Sequence, residues 1–210
     1  MRKLDMATVT RLPQYHQILQ KMKHQGREYV SSEHLAQIFH VDANLVRKDL
    51  AFLTTGVQKL GYPVLPTIEK IEEFLGMRNA KEAFLIGAGW LGHALMTYQG
   101  FKQYGLKITA AFDSDQAKVG GSVGEVKVLP IEKLRDLMPR MNIKIGIITV
   151  PADAAQEVAD LLVESGALAI WNFAPVNLQL PPRVIVKNEN LAASYALLSY
   201  DLEKILSRQE

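Results

Sequence analysis

AFLIGAGWLGHAL, residues 83–95, decides the fold of this chain. Residues 83–87 are a short apolar run of buried-strand type, the residues from Gly89 onward read as a helix, and Gly87, Gly89 and Gly92 stand between and within them as G-x-G-x-x-G. Each glycine has its own task in such a strand-turn-helix. Gly87 permits the tight turn, Gly89 lets backbone approach a pyrophosphate, and Gly92 lets helix and strand pack closely. The free amides of the turn, Ala88, Trp90 and Leu91 included, then face the phosphates at the helix N-terminus.

Outward from this stretch the pattern alternates. KITAAFD at 107–113 is a second strand, an extended piece lies around 127–129, and a helix starts at Pro130. KIGIITV at 144–150 is a strand, Asp153–Glu164 a helix, ALAIWNF at 167–173 a strand, and a last strand around 183–186 precedes a helix from Asn190 to about Leu206. Such alternation needs crossover connections, so it predicts a Rossmann-like α/β domain with a parallel sheet and helices on both faces. Asp113 lies 21 residues past Gly92, at the end of the second strand. Its carboxylate suits the free ribose hydroxyls of NAD(H) and opposes a 2′-phosphate, and no arginine follows within twenty residues to receive one. Val150 and Pro151, and Asn172, Phe173, Ala174 and Pro175, end strands on the carboxyl edge, where they line the nicotinamide half or simply terminate their strands.

Ahead of this domain, Tyr15, Ile18, Leu19 and Met22 repeat at helical spacing between Pro13 and Gln25, and Gly26 stops the helix. Ser31 is placed to cap a short helix carrying Leu35, Ile38 and Phe39. Asp42 is placed to cap the next, carrying Leu45, Val46, Leu50 and Leu53. Two short helices joined by a turn of about four residues make a helix-turn-helix. With those apolar residues inward, Asn44, Arg47, Lys48 and Ala51 point outward near the start of the recognition helix, where Arg47 or Lys48 can meet guanine acceptors or phosphates. Residues 56–64, GVQKLGYPV, have the character of a wing hairpin, and Pro66 and Thr67 open a helix with Ile68, Ile71 and Leu75 on one face, closed at Gly76. The expected organisation is a winged helix-turn-helix domain at 1–76, a nucleotide-binding domain at 77–189 and a C-terminal helix at 190–210.

Composition narrows the function. Of 210 residues 48% are hydrophobic and 22% charged, which is ordinary for globular folding. There is no cysteine, so disulfides, thiol nucleophiles and cysteine-ligated metal centres are excluded. No apolar run approaches the ~20 residues of a membrane span, the first residues carry no apolar signal core, and a cytoplasmic location without membrane contact is expected. The net charge of +2 is uneven: residues 1–60 hold nine Lys/Arg against five Asp/Glu, residues 61–210 fifteen against seventeen. A basic end on a faintly acidic body fits a polyanion-binding N-terminal face. No metal-ligating, Walker A or nucleophile-elbow motif is present, and His93 is the only histidine of the second domain. A DNA reader joined to a dinucleotide binder reads as a non-enzymatic repressor controlled by its nucleotide. The alternative is a Rossmann-type nucleotide- or CoA-binding enzyme with an accessory helical N-terminus.

VSSEHLA (30–36), VRKDL (46–50), GAGWLGHAL (87–95), FDSD (112–115), TVPADAAQ (149–156) and NFAPV (172–176) together resemble the Rex family of redox-sensing transcriptional repressors, and the resemblance spans nearly the whole chain. It implies a winged-helix domain on operator DNA through Ser31, Ser32, Asn44, Arg47, Lys48 and the wing residue Lys59. It implies a Rossmann domain for NADH and NAD⁺, with Tyr98 near the nicotinamide. It also implies a homodimer that exchanges the C-terminal helix, with Asn190, Leu191, Tyr195, Leu198 and Leu202 at the interface and no metal. The chain departs from the family pattern at Trp90, usually asparagine, at His34, usually glutamate, in a wing one residue shorter and less basic, and at Asn190, where the family aspartate that partners the tyrosine stands.

Overall fold

The computed structural model describes residues 5–78 and 81–207, the side chain of Leu191 excepted. Residues 1–4, 79, 80 and 208–210, and the expected interface contact of the Leu191 side chain, lie outside the described residues. Two compact units are present, Met1–Asn79 and Ala80–Glu210.

In the first unit α1 (Met6–His24) precedes the short strand β1 (Tyr29–Val30), α2 (Ser32–Phe39), α3 (Ala43–Ala51), β2 (Tyr62–Pro63) and α4 (Val64–Leu75). Helix α1 starts two turns before the expected Pro13. Asp5 caps it by accepting the Ala7 amide, and buried Thr8 and Leu12 extend the Tyr15, Leu19 and Met22 stripe backwards. That burial outweighs the backbone hydrogen bond missing at Pro13. Helix α4 likewise begins at Val64, ahead of the expected Pro66. Pro66 is the third residue of the helix, where amides lack an intrahelical partner anyway, and Val64 is buried. The two expected caps form, Ser31 accepting the His34 amide and Asp42 the Asn44 amide. His40 ends α2 in the left-handed region. The wing is reduced to a Val57–Gly61 bridge around a tight turn and a two-residue antiparallel ladder of β2 on β1. Leu12, Tyr15, Leu19, Leu35, Val46, Leu50, Ile68 and Ile71 form the core of this unit.

The second unit runs β3 (Lys81–Ile86), α5 (Trp90–Thr97), α6 (Gly100–Gln103), β4 (Leu106–Asp113), β5 (Ser122–Val123), β6 (Val126–Pro130), a 3₁₀ turn into α7 (Leu134–Arg140), β7 (Ile145–Ile148), α8 (Ala152–Glu164), β8 (Ala169–Asn172), β9 (Ile185–Asn188) and α9 (Leu191–Leu206). The sheet order is β5-β6-β4-β3-β7-β8-β9, parallel throughout except for β5 against β6. Strand order reverses beside β3, so the carboxyl ends of β3 and β7 bound the crevice at which doubly wound folds take ligands. Along β3, Phe84 and Ile86 enter one core with Phe112, Leu134 and Leu162, while Ala83 and Leu85 enter the other with Ala111 and Ile147.

Further differences from expectation lie in this unit, where the last strand, expected around 183–186, runs from Ile185 to Asn188. The single helix expected over 89–101 is split at Tyr98, which is extended; its ring covers Gly100, where a Cβ would overlap it. Strand β5, only two residues long, is too short to leave a periodicity. Among the described residues no helix is long and apolar enough to cross a membrane.

Candidate functional site

The glycine turn takes the geometry its spacing predicts. Gly87 has φ +103°, and a Cβ there would meet the Val150 amide nitrogen at 2.9 Å, while the Thr149 hydroxyl donates to the carbonyls of Gly87 (2.8 Å) and Ile86 (3.0 Å). A Cβ on Gly92 would strike the Gly87 carbonyl oxygen, so only glycine lets α5 pack this close to β3. Nothing lies within 4 Å of where a Gly89 Cβ would be. That open face is where a phosphate group can reach backbone.

Asp113 departs from the simple expectation of a free carboxylate. It is buried; Oδ2 accepts the Ala88 amide (2.8 Å) and Lys118 Nζ (3.1 Å), and Oδ1 accepts the Asp115 amide (2.9 Å). Oδ1 alone keeps a lone pair open for a ribose hydroxyl. Burial pushes the carboxyl pKa up, but the Asp115 amide, Lys118 and the Ala88 amide outweigh it and hold it below the usual aspartate value. Lys118 was missed by a reading that looked only for arginine. A cavity of about 220 Å³ bordered by Gly87, Asp113, Ser114, Val150 and Leu161 lies on one side of the turn, and a groove of about 400 Å³ between Ala88, Gly89, Trp90, His93 and Lys118 on the other. Leu91 is half-buried, and Trp90 is 96% exposed at the lip. A larger groove of about 710 Å³ carries the carboxylates of Glu132, Asp153, Glu157, Asp160 and Glu164 against Arg135. Its charge opposes a dinucleotide, so size does not locate the site.

Beyond the turn an aromatic row runs Tyr98, Phe101, Trp171, Phe173, with successive ring centroids 5.0, 5.4 and 4.9 Å apart. The Trp171 indole donates to Glu189 (3.2 Å), next to Asn190, whose side chain caps α9 by accepting the Ala193 amide. Phe101, Trp171 and Glu189 were not legible, because they meet across the sheet rather than along the chain. Two expected lining residues turn inward. Asn172 is fully buried; its amide donates to the Ala174 and Val176 carbonyls and to Asn188, and its oxygen accepts the Ala174 amide. Ala174 packs into the core. Both side chains shape the loop from within, while Val150, Pro151, Phe173 and Pro175 keep some exposure at the rim.

On the first unit, Val46 and Leu50 face the core and Asn44, Arg47 and Lys48 are exposed, as expected. Asp49 is 1% exposed and accepts hydrogen bonds from Thr8 (2.7 Å), Arg11 (2.6 and 2.8 Å) and Tyr15 (2.9 Å), fastening α3 to α1. Burial pushes its carboxyl pKa up, and the bonds from Arg11, Thr8 and Tyr15 bring it below the usual value. Arg47 Nη1 donates to Glu33 (2.6 Å) and Ser32 (2.9 Å), and Nη2 to Asn44 (3.0 Å). Ser32, expected on the DNA face, is buried with its hydroxyl engaged in this cluster, and Ser31 is engaged in capping α2. Lys59 sits at the wing tip with φ +68°. Among the described residues no group of His, Asp or Glu could hold a metal ion.

Two family models match the chain: "Putative DNA-binding protein N-terminus" over residues 3–51 and "CoA binding domain" over residues 78–176. The redox-sensing transcriptional repressor Rex of Treponema denticola is 43% identical over 192 residues, 91% of each chain, and that of Desulforamulus reducens 39% identical over 201 residues, 95% of this chain and 96% of its own. Among solved structures, RSP in complex with beta-NAD⁺ and operator DNA is similar at TM-score 0.90 and 34% identity, covering 100% of this chain and 97% of that one. RSP in complex with beta-NADH is similar at TM-score 0.88 and 32% identity, covering 100% of both.

Proposed function

The chain belongs to the Rex family of redox-sensing transcriptional repressors, and we propose that it binds operator DNA as a homodimer in the cytoplasm and leaves it when NADH fills the crevice beside Gly87, Gly89 and Gly92. It is a repressor and not an enzyme. The observation that carries the reading is the joining, in one chain, of an exposed Arg47–Lys48 recognition face to a glycine turn whose open amides suit a dinucleotide. A dimer is supported by α9, where Tyr195 (71%), Leu197 (68%), Leu198 (66%) and Leu202 (52%) stand exposed on more than one side. Water does not favour so many exposed large apolar side chains on one helix, and a second copy of the chain supplies the cover.

A gel-shift titration tests the function. NADH added to the protein bound to a palindromic duplex releases the DNA, NADPH does so only at higher concentration, and NAD⁺ competes with NADH. Indifference of the complex to NADH rejects the reading. A CoA-binding protein, the second reading that the family model over 78–176 favours, is recognised by tighter binding of CoA than of NADH in calorimetry.

A further inference from the structure

The recognition face holds two cations in different states. Lys48 is exposed and makes no hydrogen bond or ion pair among the described residues, whereas Arg47 is braced from three sides. Glu33 Oε1 accepts from Arg47 Nη1 at 2.6 Å, Glu33 Oε2 accepts from the Ser32 hydroxyl at 3.2 Å, and that hydroxyl accepts the second Nη1 proton at 2.9 Å. The three residues close a ring. Asn44, from the first turn of α3, takes one Nη2 proton. Both Nη1 protons are thereby used, while Nε–H and one Nη2–H remain, two donors of a rigid planar fork.

Glu33 is itself exposed, so its carboxylate stands on the surface beside the arginine that is to meet DNA. On such a face a negative charge costs phosphate affinity. It contributes something different: a guanidinium already paired to a carboxylate gains little from swinging to a phosphate, yet its free edge can still pair with the two acceptors of a guanine.

We propose that Glu33 is a specificity-determining positioning residue, which holds Arg47 for base reading and keeps it off the phosphate backbone. The inference rests on the reading of this chain as an operator-binding repressor. Lys48, unbraced, supplies backbone attraction; Arg47 supplies discrimination because Glu33 restrains it. Glu33 has its pairing partner on the next helix, so the restraint is lost without disturbing either cap.

The test compares two duplexes at several salt concentrations: one recovered by the unmodified full-length protein from a randomised pool, and one of scrambled sequence. Glu33→Ala should bind the scrambled duplex several-fold more tightly, with a salt slope steeper by about one ion. Discrimination between the duplexes should fall roughly tenfold, the order of one bidentate base contact. In an Arg47→Ala background, Glu33→Ala should leave discrimination unchanged. Equal changes in affinity for both duplexes with an unaltered slope would overturn the proposal. So would a Glu33 effect on discrimination that survives without Arg47, since Glu33 would then read a base itself. If the unmodified protein shows no preference for any recovered duplex, it is the underlying operator reading that fails; a preference indifferent to Glu33 defeats only the present inference.

Discussion

Lys118 Nζ lies 3.1 Å from the Asp113 oxygen that also receives the Ala88 amide. The acid expected to oppose a 2′-phosphate is therefore partly neutralised by a cation five residues along the chain. Lys118→Gln leaves Asp113 unopposed, and the ratio of NADPH to NADH dissociation constants should rise by about threefold, the scale of a partly exposed charge pair. Asp113→Ala should weaken NADH and narrow the same ratio. Calorimetry with both nucleotides gives the two ratios, and equal affinities in the unmodified protein remove the argument.

Arg47→Ala should weaken operator binding by about 1 to 3 kcal/mol if it makes a bidentate base contact. Lys48→Ala should act mainly on ionic strength, reducing the salt slope by about one. Unchanged binding in the double variant assigns the recognition face elsewhere.

Asp49 links α3 to α1, and its carboxyl pKa is lowered in the folded protein. A lowered folded value means that the carboxylate contributes stability above its unfolded pKa of about 4, and that this contribution disappears as pH falls through the folded value. At neutral pH, Asp49→Asn should cost about 3 kcal/mol, because it leaves Arg11 with a weaker acceptor. Urea unfolding curves of the two proteins should converge below pH 4. A gap that does not narrow at all as pH falls below about 4 would show that the loss is one of packing, not charge.

Removing α9 by ending the chain before Asn190 should give a monomeric or aggregating protein in sedimentation experiments. The described apolar side chains on this helix are largely uncovered within their own chain, so their loss removes the area available for pairing. A well-behaved dimer lacking the helix places the interface on another surface.

Asn190→Asp tests how NADH is told from NAD⁺. Asn190 caps α9 through the Ala193 amide, and aspartate caps equally well, so the substitution changes charge with little structural cost. The oxidised nicotinamide is cationic and the reduced ring is neutral. NAD⁺ affinity should rise and NADH affinity stay nearly constant. A fall in NAD⁺ affinity reverses the electrostatic sign, and constancy of both excludes a role for the position.

What was legible in the chain was what local rules control. The glycine turn is fixed by backbone sterics at Gly87 and Gly92, and the caps at Ser31 and Asp42 are fixed by neighbouring amides. Asp113 was correctly placed at its strand end, yet its engagement with Ala88 crosses 25 residues. Thr8 and Asp49 meet across 41 residues, Glu33 and Arg47 across 14, and Trp171 and Glu189 across 18. No periodicity records such pairings. Pro13 misled for a related reason: proline is a fair marker of a helix start in isolation, and the burial of Thr8 and Leu12 overrides it.

Helix α3 divides its work between opposite sides. Val46, Asp49 and Leu50 hold it in the fold from behind, while Lys48 and Ala51 carry no anchoring duty. Substitutions on the outer side can accumulate without endangering the protein, so descendants of this chain can acquire new targets while remaining folded. Arg47 is the exception. Its tie to Glu33 makes the two positions a unit of inheritance, and retargeting there requires both to change in step.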